Sequence, residues 1–257
     1  MTGAYLFLLI VYASTWALYL SFHAAAATGS AQAVYAFLFG TVWTPSVAAL
    51  ILSASEGRTS CIELLGRLFR RTHGLEWFVI AAVLPCVAVW LATGAAKLVG
   101  DSAPRPGLPL WPSIVGMQLI TGAVGEELGW RGFLLPRLSR RFGFTSAAIL
   151  GGVLWSGWHI AGTLFQGLGP QAAPLIPFLA FVAVFGVFLA FVFARTGHVL
   201  ASMVAHLSLN VTTALAGIPL ASGTFWWALL LGFAVAVTAT YFTAWPANTA
   251  MEPTART

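Results

Sequence analysis

The chain has 257 residues, 59% of them hydrophobic and 7% charged, with a mean hydropathy of +0.89. Soluble globular domains carry about 25% charged residues, which excludes a water-soluble fold; no long polar stretch exists that could form a soluble domain on a single-pass anchor either. The formal charge of +5 is spread over short connecting loops, where basic residues report membrane topology, so no nucleic-acid partner is expected. Cys61 lies in a basic loop and Cys86 in an apolar run, which argues against a disulfide framework or a CxxC metal site.

A membrane span needs roughly 20 mostly apolar residues. That rule predicts eight spans, at about 4–26, 31–54, 75–99, 113–136, 144–165, 174–194, 197–217 and 223–245. The first has no Lys or Arg ahead of its apolar run, unlike a cleaved signal peptide, and is expected to be a retained span. Pro45, Pro85 and Gly186 interrupt spans, which membrane helices tolerate when neighbours re-satisfy the freed backbone groups. Between spans two and three, segment 57–73 sets Ile62, Leu65 and Phe69 near one helical face beside Arg67, Arg70 and Arg71. It is expected to be an interfacial helix or a solvated connector that fixes topology. Arg58, Arg67, Arg70, Arg71, Arg137, Arg140, Arg141, Arg195 and Arg256 fall on one side if eight spans alternate, against Lys97 and Arg105, with Asp101 nearby, on the other. The positive-inside rule then puts both termini in the cytoplasm. The loop 166–174 is a Pro/Gly connector, and Trp226, Trp227 and Trp245 at the ends of the last span suit interfacial belts. The expectation is one all-α domain over 1–257, a polytopic membrane helix bundle of about eight transmembrane helices.

Ionisable residues inside spans are functional candidates by default. Glu126 and Glu127 lie in the fourth span ahead of Arg131 (GEELGWRGFLLPRL), His159 in the fifth (WSGWHIAG), and His206 and Asn210 in the seventh (AHLSLN). His23, His73 and His198 sit near span ends or in loops and need no chemical role. Residues four apart share a helix face, so Glu127 can pair with Arg131, and His206 stacks above Asn210. At 1.5 Å per residue, Glu126 lies ~15 Å, His206 ~14 Å and His159 ~22 Å from the cytoplasmic ends of their spans. Three helices thus bring polar groups to overlapping depth, biased towards the cytoplasm. A buried Glu127–Arg131 ion pair has a purely structural explanation; Glu126, His159, His206 and Asn210 together do not. Trp130, Phe133 and Trp158 near these residues are expected to be packing.

Two mechanisms suit this set. In one, Glu126 deprotonates a water with help from His159, while His206 and Asn210 donate hydrogen bonds to a tetrahedral oxyanion. In the other, Glu126, His159 and His206 ligate a Zn²⁺ that activates the water. Both hydrolyse peptides.

Glu126-Glu127-x-x-x-Arg131, Trp155-x-x-x-His159 and His206-x-x-x-Asn210 resemble, in order and spacing, the three motifs of the CPBP family. These are the CAAX-protease and bacteriocin-processing (Abi) membrane proteins, whose eukaryotic members process prenylated CAAX proteins. The likeness covers about 113–216, and eight spans suit the prenyl endoprotease branch. Trp155 departs from the Phe usual in the second motif but keeps an aromatic on the face of His159. The resemblance implies a glutamate-dependent intramembrane endopeptidase, with Glu126 as base, His159 its partner and His206 with Asn210 as oxyanion hole. Glu127 and Arg131 would shape the site. Metal-free catalysis is favoured, with zinc the alternative. The client would be a membrane-associated protein or peptide, prenylated or a leader peptide, met in the lipid bilayer of a bacterial cell membrane.

Other protease classes fail on inspection: no His is followed by Glu, Asp101 is the sole Asp, and Leu154 stands where a rhomboid-like GxSG needs its first Gly. Two non-proteolytic readings remain, a scaffold or immunity protein that binds its membrane client, and a small proton-coupled transporter with a Glu/His-lined pathway. No internal repeat of the transporter kind is evident.

Overall fold

In a computed structural model the chain is described over residues 2–26, 31–68, 75–164 and 173–244. It is helical, without strands among the described residues. We number the helices α1 (Thr2–Ala26), α2 (Ala31–Glu56), α3 (Arg58–Gly66), α4 (Leu75–Leu98), α5 (Leu108–Phe142, a run of linked helical segments), α6 (Phe144–Leu164), α7 (Leu175–Thr196), α8 (Val199–Leu215) and α9 (Gly223–Ala244). Six are long and apolar enough to cross a membrane over the described residues: α1, α4, α5, α6, α7 and α9. α8 is a shorter apolar helix, and α2 runs 26 residues. Setting α3 aside, eight helical passes alternate in direction, as the hydropathy predicts.

The two ends of the bundle differ in chemistry. At the end where α2 stops and α4 starts, Arg137 of α5 pairs with Glu56 of α2, Arg195 lies over the Trp77 ring, and the Val199 amide donates to the Arg67 carbonyl at 3.0 Å. We call this the basic end. At the opposite end the Ala103 amide donates to the Gly217 carbonyl, Ser222 donates to Asp101 at 2.6 Å, and Arg105 lies over Trp90.

Short side chains set the helix spacing. Water supplies no drive for helices to associate inside a bilayer, so close backbone approach does. Gly125 and Gly129, four apart on α5, lie against the backbone of α2: a Cβ at Gly125 would come within 2.8 Å of the Val42 carbonyl, and one at Gly129 would collide with Pro45. Gly152 of α6 meets Ala183 of α7 in the same way, and a Cβ at Gly186 would lie 2.7 Å from Gly152. The core that results is dominated by aromatic side chains of α7, with Phe181, Phe185, Phe188 and Phe191 buried.

The interruptions are compensated locally. Pro45 has no N–H for the carbonyl of Thr41, and the Thr44 hydroxyl donates to that carbonyl at 2.8 Å. Within α5 the helix breaks at Thr121 and Gly122, between two wide π-type turns at Leu119–Ala123 and Leu128–Leu134. The carbonyl of Ile120, loosened by that break, accepts from the Trp43 indole at 2.9 Å.

Several expectations change. α5 continues to Phe142 rather than ending near 136, so Glu126 stands near its middle. The amphipathic segment is helical over Arg58–Gly66, but its buried face is Leu64; Ile62 and Leu65 point outward. Phe69, Arg70 and Arg71 lie outside the described residues, as do His73, Arg256, Trp245 and nearly all of the 166–174 loop. The side chain of His23 is likewise not described. Trp227 is exposed, as an interfacial residue would be, but Trp226 is buried and its indole donates to the Leu220 carbonyl at 2.7 Å.

Candidate active site

α5, α6 and α8 bring Glu126, His159, His206 and Asn210 to one cavity of about 430 Å³. Glu126 is 4% exposed, and its Oε2 accepts from the Trp155 indole N–H at 2.7 Å. A buried carboxylate needs donors in place of the water it loses, and this one comes from α6. Trp155 is four residues, one turn, before His159. Its ring meets those of His159 and His206 edge-on, at centroid distances of 5.0 and 5.4 Å. The Arg131 guanidinium lies 4.3 Å over it. One indole therefore touches Glu126, both histidines and the arginine of the first motif.

Glu127 turns away from the cavity and is fully buried. Its Oε1 accepts from Arg131 at 3.0 Å and from His206 Nδ1 at 2.9 Å. The i, i+4 spacing predicts the first contact; the second joins α5 to α8 and could not be read from spacing. It also fixes the imidazole: with Nδ1–H committed to the carboxylate, Nε2 is the nitrogen left for other partners. His159 is oriented in a parallel way. Its Nδ1 lies 2.8 Å from the Trp155 carbonyl, an atom that can only accept, so Nδ1 carries a proton and a neutral ring has Nε2 as acceptor.

Asn210 lies one turn beyond His206 and packs on the broken part of α5. A Cβ at Gly122 would stand 2.9 Å from the Asn210 Nδ2, so the absence of a side chain there lets the amide approach the helix. Wide π-type turns often re-aim side chains at functional sites, and here they flank Glu126 and Glu127.

Trp130 and Phe133 are buried packing, as expected. Trp158 does more: it lines the cavity, and its indole donates to Thr15 of α1 at 2.7 Å. Sequence reasoning missed this contribution of α1, as well as Tyr19, Thr41 and Trp226 in the cavity wall. Buried Trp N–H groups need partners, which was the available signal for Trp155 and Trp158.

Glu126, His159 and His206 share the cavity, yet among the described residues no three His, Cys, Asp or Glu side chains converge closely enough to hold a metal ion. His206 Nδ1 is engaged by Glu127 and one oxygen of Glu126 by Trp155. Nε2 of His159, Nε2 of His206 and the second oxygen of Glu126 stay available to a water, a proton or a metal ion.

Residues 108–212, about two-fifths of the chain, match the family described as type II CAAX prenyl endopeptidase Rce1-like. The chain is also similar to CAAX prenyl protease 2 of Methanococcus maripaludis, with 46% identity over 41 residues. That stretch covers 16% of this chain and 15% of the length of the relative. The matched segment contains all three motifs, from Glu126 to Asn210. The likeness to type II CAAX prenyl endopeptidase-like proteins thus lies over the segment that carries the three motifs and lines the cavity.

Proposed function

We propose that the protein is an intramembrane endopeptidase in which Glu126 activates a water. The observation that carries this reading is the contrast between adjacent glutamates: Glu127 lies outside the cavity with its Oε1 shared by Arg131 and His206, whereas Glu126 faces the cavity with one oxygen held by Trp155. A water between Glu126 and His159 Nε2 would lose its proton to the carboxylate and attack a peptide carbonyl placed in the cavity. The oxyanion is then held by hydrogen bonds from the Asn210 amide and from His206. Donors fixed in advance at the site of developing charge stabilise it most. The proton held by Glu126 passes to the leaving amine. No step is routed through a metal.

Apart from Glu126 and the two histidines, no charged or titratable side chain among the described residues but Tyr19 lines the cavity. It suits an apolar, uncharged peptide segment carried by a membrane-associated client, a prenylated protein or a leader peptide. The basic end, with both termini, faces the cytoplasm by the positive-inside rule, in a bacterial cell membrane. A scaffold that binds its client without cleaving it is the second reading, on the same cavity.

The test is cleavage of a panel of prenylated and leader-type peptides by purified protein in detergent. Glu126→Gln should lower the rate by about 10²–10⁴-fold, the range for general-base catalysis, with the fold intact, and a strong zinc chelator should leave wild type active. Activity lost to chelator and restored by Zn²⁺ would move Glu126, His159 and His206 to metal ligands. A Glu126→Gln protein that cleaves as wild type would sink the role of this residue.

A further inference from the structure

His159 stands at an irregularity in its helix. A regular α-helix sends each amide to the carbonyl four residues back, which for His159 is that of Trp155. Its amide donates to the Ser156 carbonyl at 3.0 Å, three residues back. The Trp155 carbonyl freed by this tightened turn is the one that holds the His159 ring at Nδ1, at 2.8 Å. The direction of the imidazole therefore depends on the turn staying tight.

α1 supports that turn, although it carries no motif residue and ends well before residue 108, where the family match begins. Tyr12, Thr15 and Tyr19 share one face of α1, and Leu154, Trp158 and Gly162 share one face of α6. They meet pairwise. The Tyr12 hydroxyl donates to the Leu154 carbonyl at 2.5 Å, and the Trp158 indole donates to the Thr15 hydroxyl at 2.7 Å. The Tyr19 hydroxyl lies 2.7 Å from where a Cβ at Gly162 would be. Two of these contacts precede His159 in the chain and one follows it.

The Thr15 contact belongs to a longer chain. Thr44 Oγ1 of α2 lies 3.2 Å from Thr15 Oγ1 and donates to the Thr41 carbonyl at 2.8 Å. An indole only donates and a carbonyl only accepts. Each hydroxyl between them thus donates onward, from Trp158 through Thr15 and Thr44 to the carbonyl beside Pro45. Thr15 is 1% exposed, and hydrogen bonds linked in a buried chain strengthen one another. The Trp158 ring meets the His159 ring edge-on at a centroid distance of 5.0 Å, as the Trp155 ring does. Both indoles that pack on His159 are tethered by their N–H, one to Glu126 and one to α1.

We infer that α1 is a working part of the active site, with Thr15 a positioning residue that acts through Trp158 to hold the turn at His159 and aim its imidazole. This deepens the proposed function and rests on His159 as the partner of Glu126 there. Without the Thr15 hydroxyl the indole is released, the turn relaxes towards a straight helix and the His159 amide returns to the Trp155 carbonyl. The ring then loses its hold at Nδ1 and also takes up the Nε2–H form, which cannot accept at Nε2 from the attacking water.

Full-length protein in detergent, labelled with ¹⁵N-histidine, reports this directly, with the His159 signals identified by their absence in His159→Gln. Wild type should show the Nδ1–H form alone. Thr15→Val keeps the shape and deletes the hydroxyl; it should add the Nε2–H form and lower kcat about five- to tenfold at unchanged KM. Thr15→Ser, which keeps the hydroxyl, should match wild type. Thr15→Val also leaves a buried indole N–H without its acceptor, so a double variant with Trp158→Phe removes both ends. That protein should melt close to wild type and still show mixed His159 signals. A single unchanged Nδ1–H signal in Thr15→Val, or in the double variant if the single one does not fold, would overturn the inference. So would a Thr15→Ser protein that behaves as Thr15→Val does. A wild type that cleaves no peptide would sink the proposed function and leave this inference to the imidazole signals, which need no substrate.

Discussion

The half of the bundle next to the basic loops and the half away from them solve different problems with the same helices. The first is a solid: Phe133, Leu134 and Leu64 fill it, and Arg137 pairs with Glu56 and Arg131 with Glu127. The second is hollow, walled by hydroxyls, amides and aromatic rings around one carboxylate. The boundary runs between two consecutive residues of α5. Glu127 belongs to the solid half and Glu126 to the hollow one, so neighbours in sequence with identical chemistry have opposite duties. A buried charge that is paired holds the structure; one left facing a cavity is available for reaction.

Replacing one member on each side should separate these duties. Arg131→Met strips Glu127 of its cation inside the packed half, and breaking a buried pair in this way costs about 3–5 kcal/mol. Thermal melts in detergent should fall steeply for Arg131→Met and hardly at all for Glu126→Gln; equal melting of the two would erase the distinction. Asn210→Ala, in the hollow half, removes one oxyanion donor, worth about 10²–10³-fold in kcat. Single-turnover rates should drop with the melting temperature unchanged, and a matching loss of stability would make Asn210 a packing residue instead.

Trp155→Phe straddles the boundary, because it keeps an aromatic ring against His159 and Arg131 but deletes the N–H on Glu126. Hydrogen bonds to charged groups are worth about 1.5–3 kcal/mol, so kcat should fall roughly 10- to 100-fold while KM holds. A kcat within twofold of wild type would leave Trp155 with packing alone. The smallest effect is expected at Thr44→Val, which leaves the Thr41 carbonyl beside Pro45 without its donor. Polar contacts within membranes average about 0.6 kcal/mol, a shift of a degree or two that differential scanning calorimetry resolves.

The sequence discloses much of this because a bilayer makes charge expensive. Glu126, His159 and His206 stand out inside apolar runs, and spacing alone pairs Glu127 with Arg131. What spacing could not supply is contact between helices distant in the chain, such as His206 with Glu127. Depth was measured from a span edge near 136, but α5 runs to Phe142, and six further residues of helix add ~9 Å. Glu126 thereby stands near the middle of its helix. Trp226 was misjudged because interfacial placement and cavity lining leave the same trace, an indole near the end of a span.

The charges of α5 also bear on how the protein is made. Over Leu108–Phe142 the most apolar window has a mean hydropathy of 1.2, against 2.8 for Leu175–Thr196. Each charged residue at mid-membrane adds about 2.5–3.5 kcal/mol to the cost of insertion, so α5 alone is a poor candidate to leave the translocon for lipid. By carrying Glu127 and Arg131 one turn apart it brings its own neutralising partner. The glycine ridge of Gly125 and Gly129 gives it a dock on α2, which is synthesised earlier. The helix that carries Glu126 and Glu127 thus holds within its own sequence both a partner for one of its charges and a surface that docks on an earlier helix.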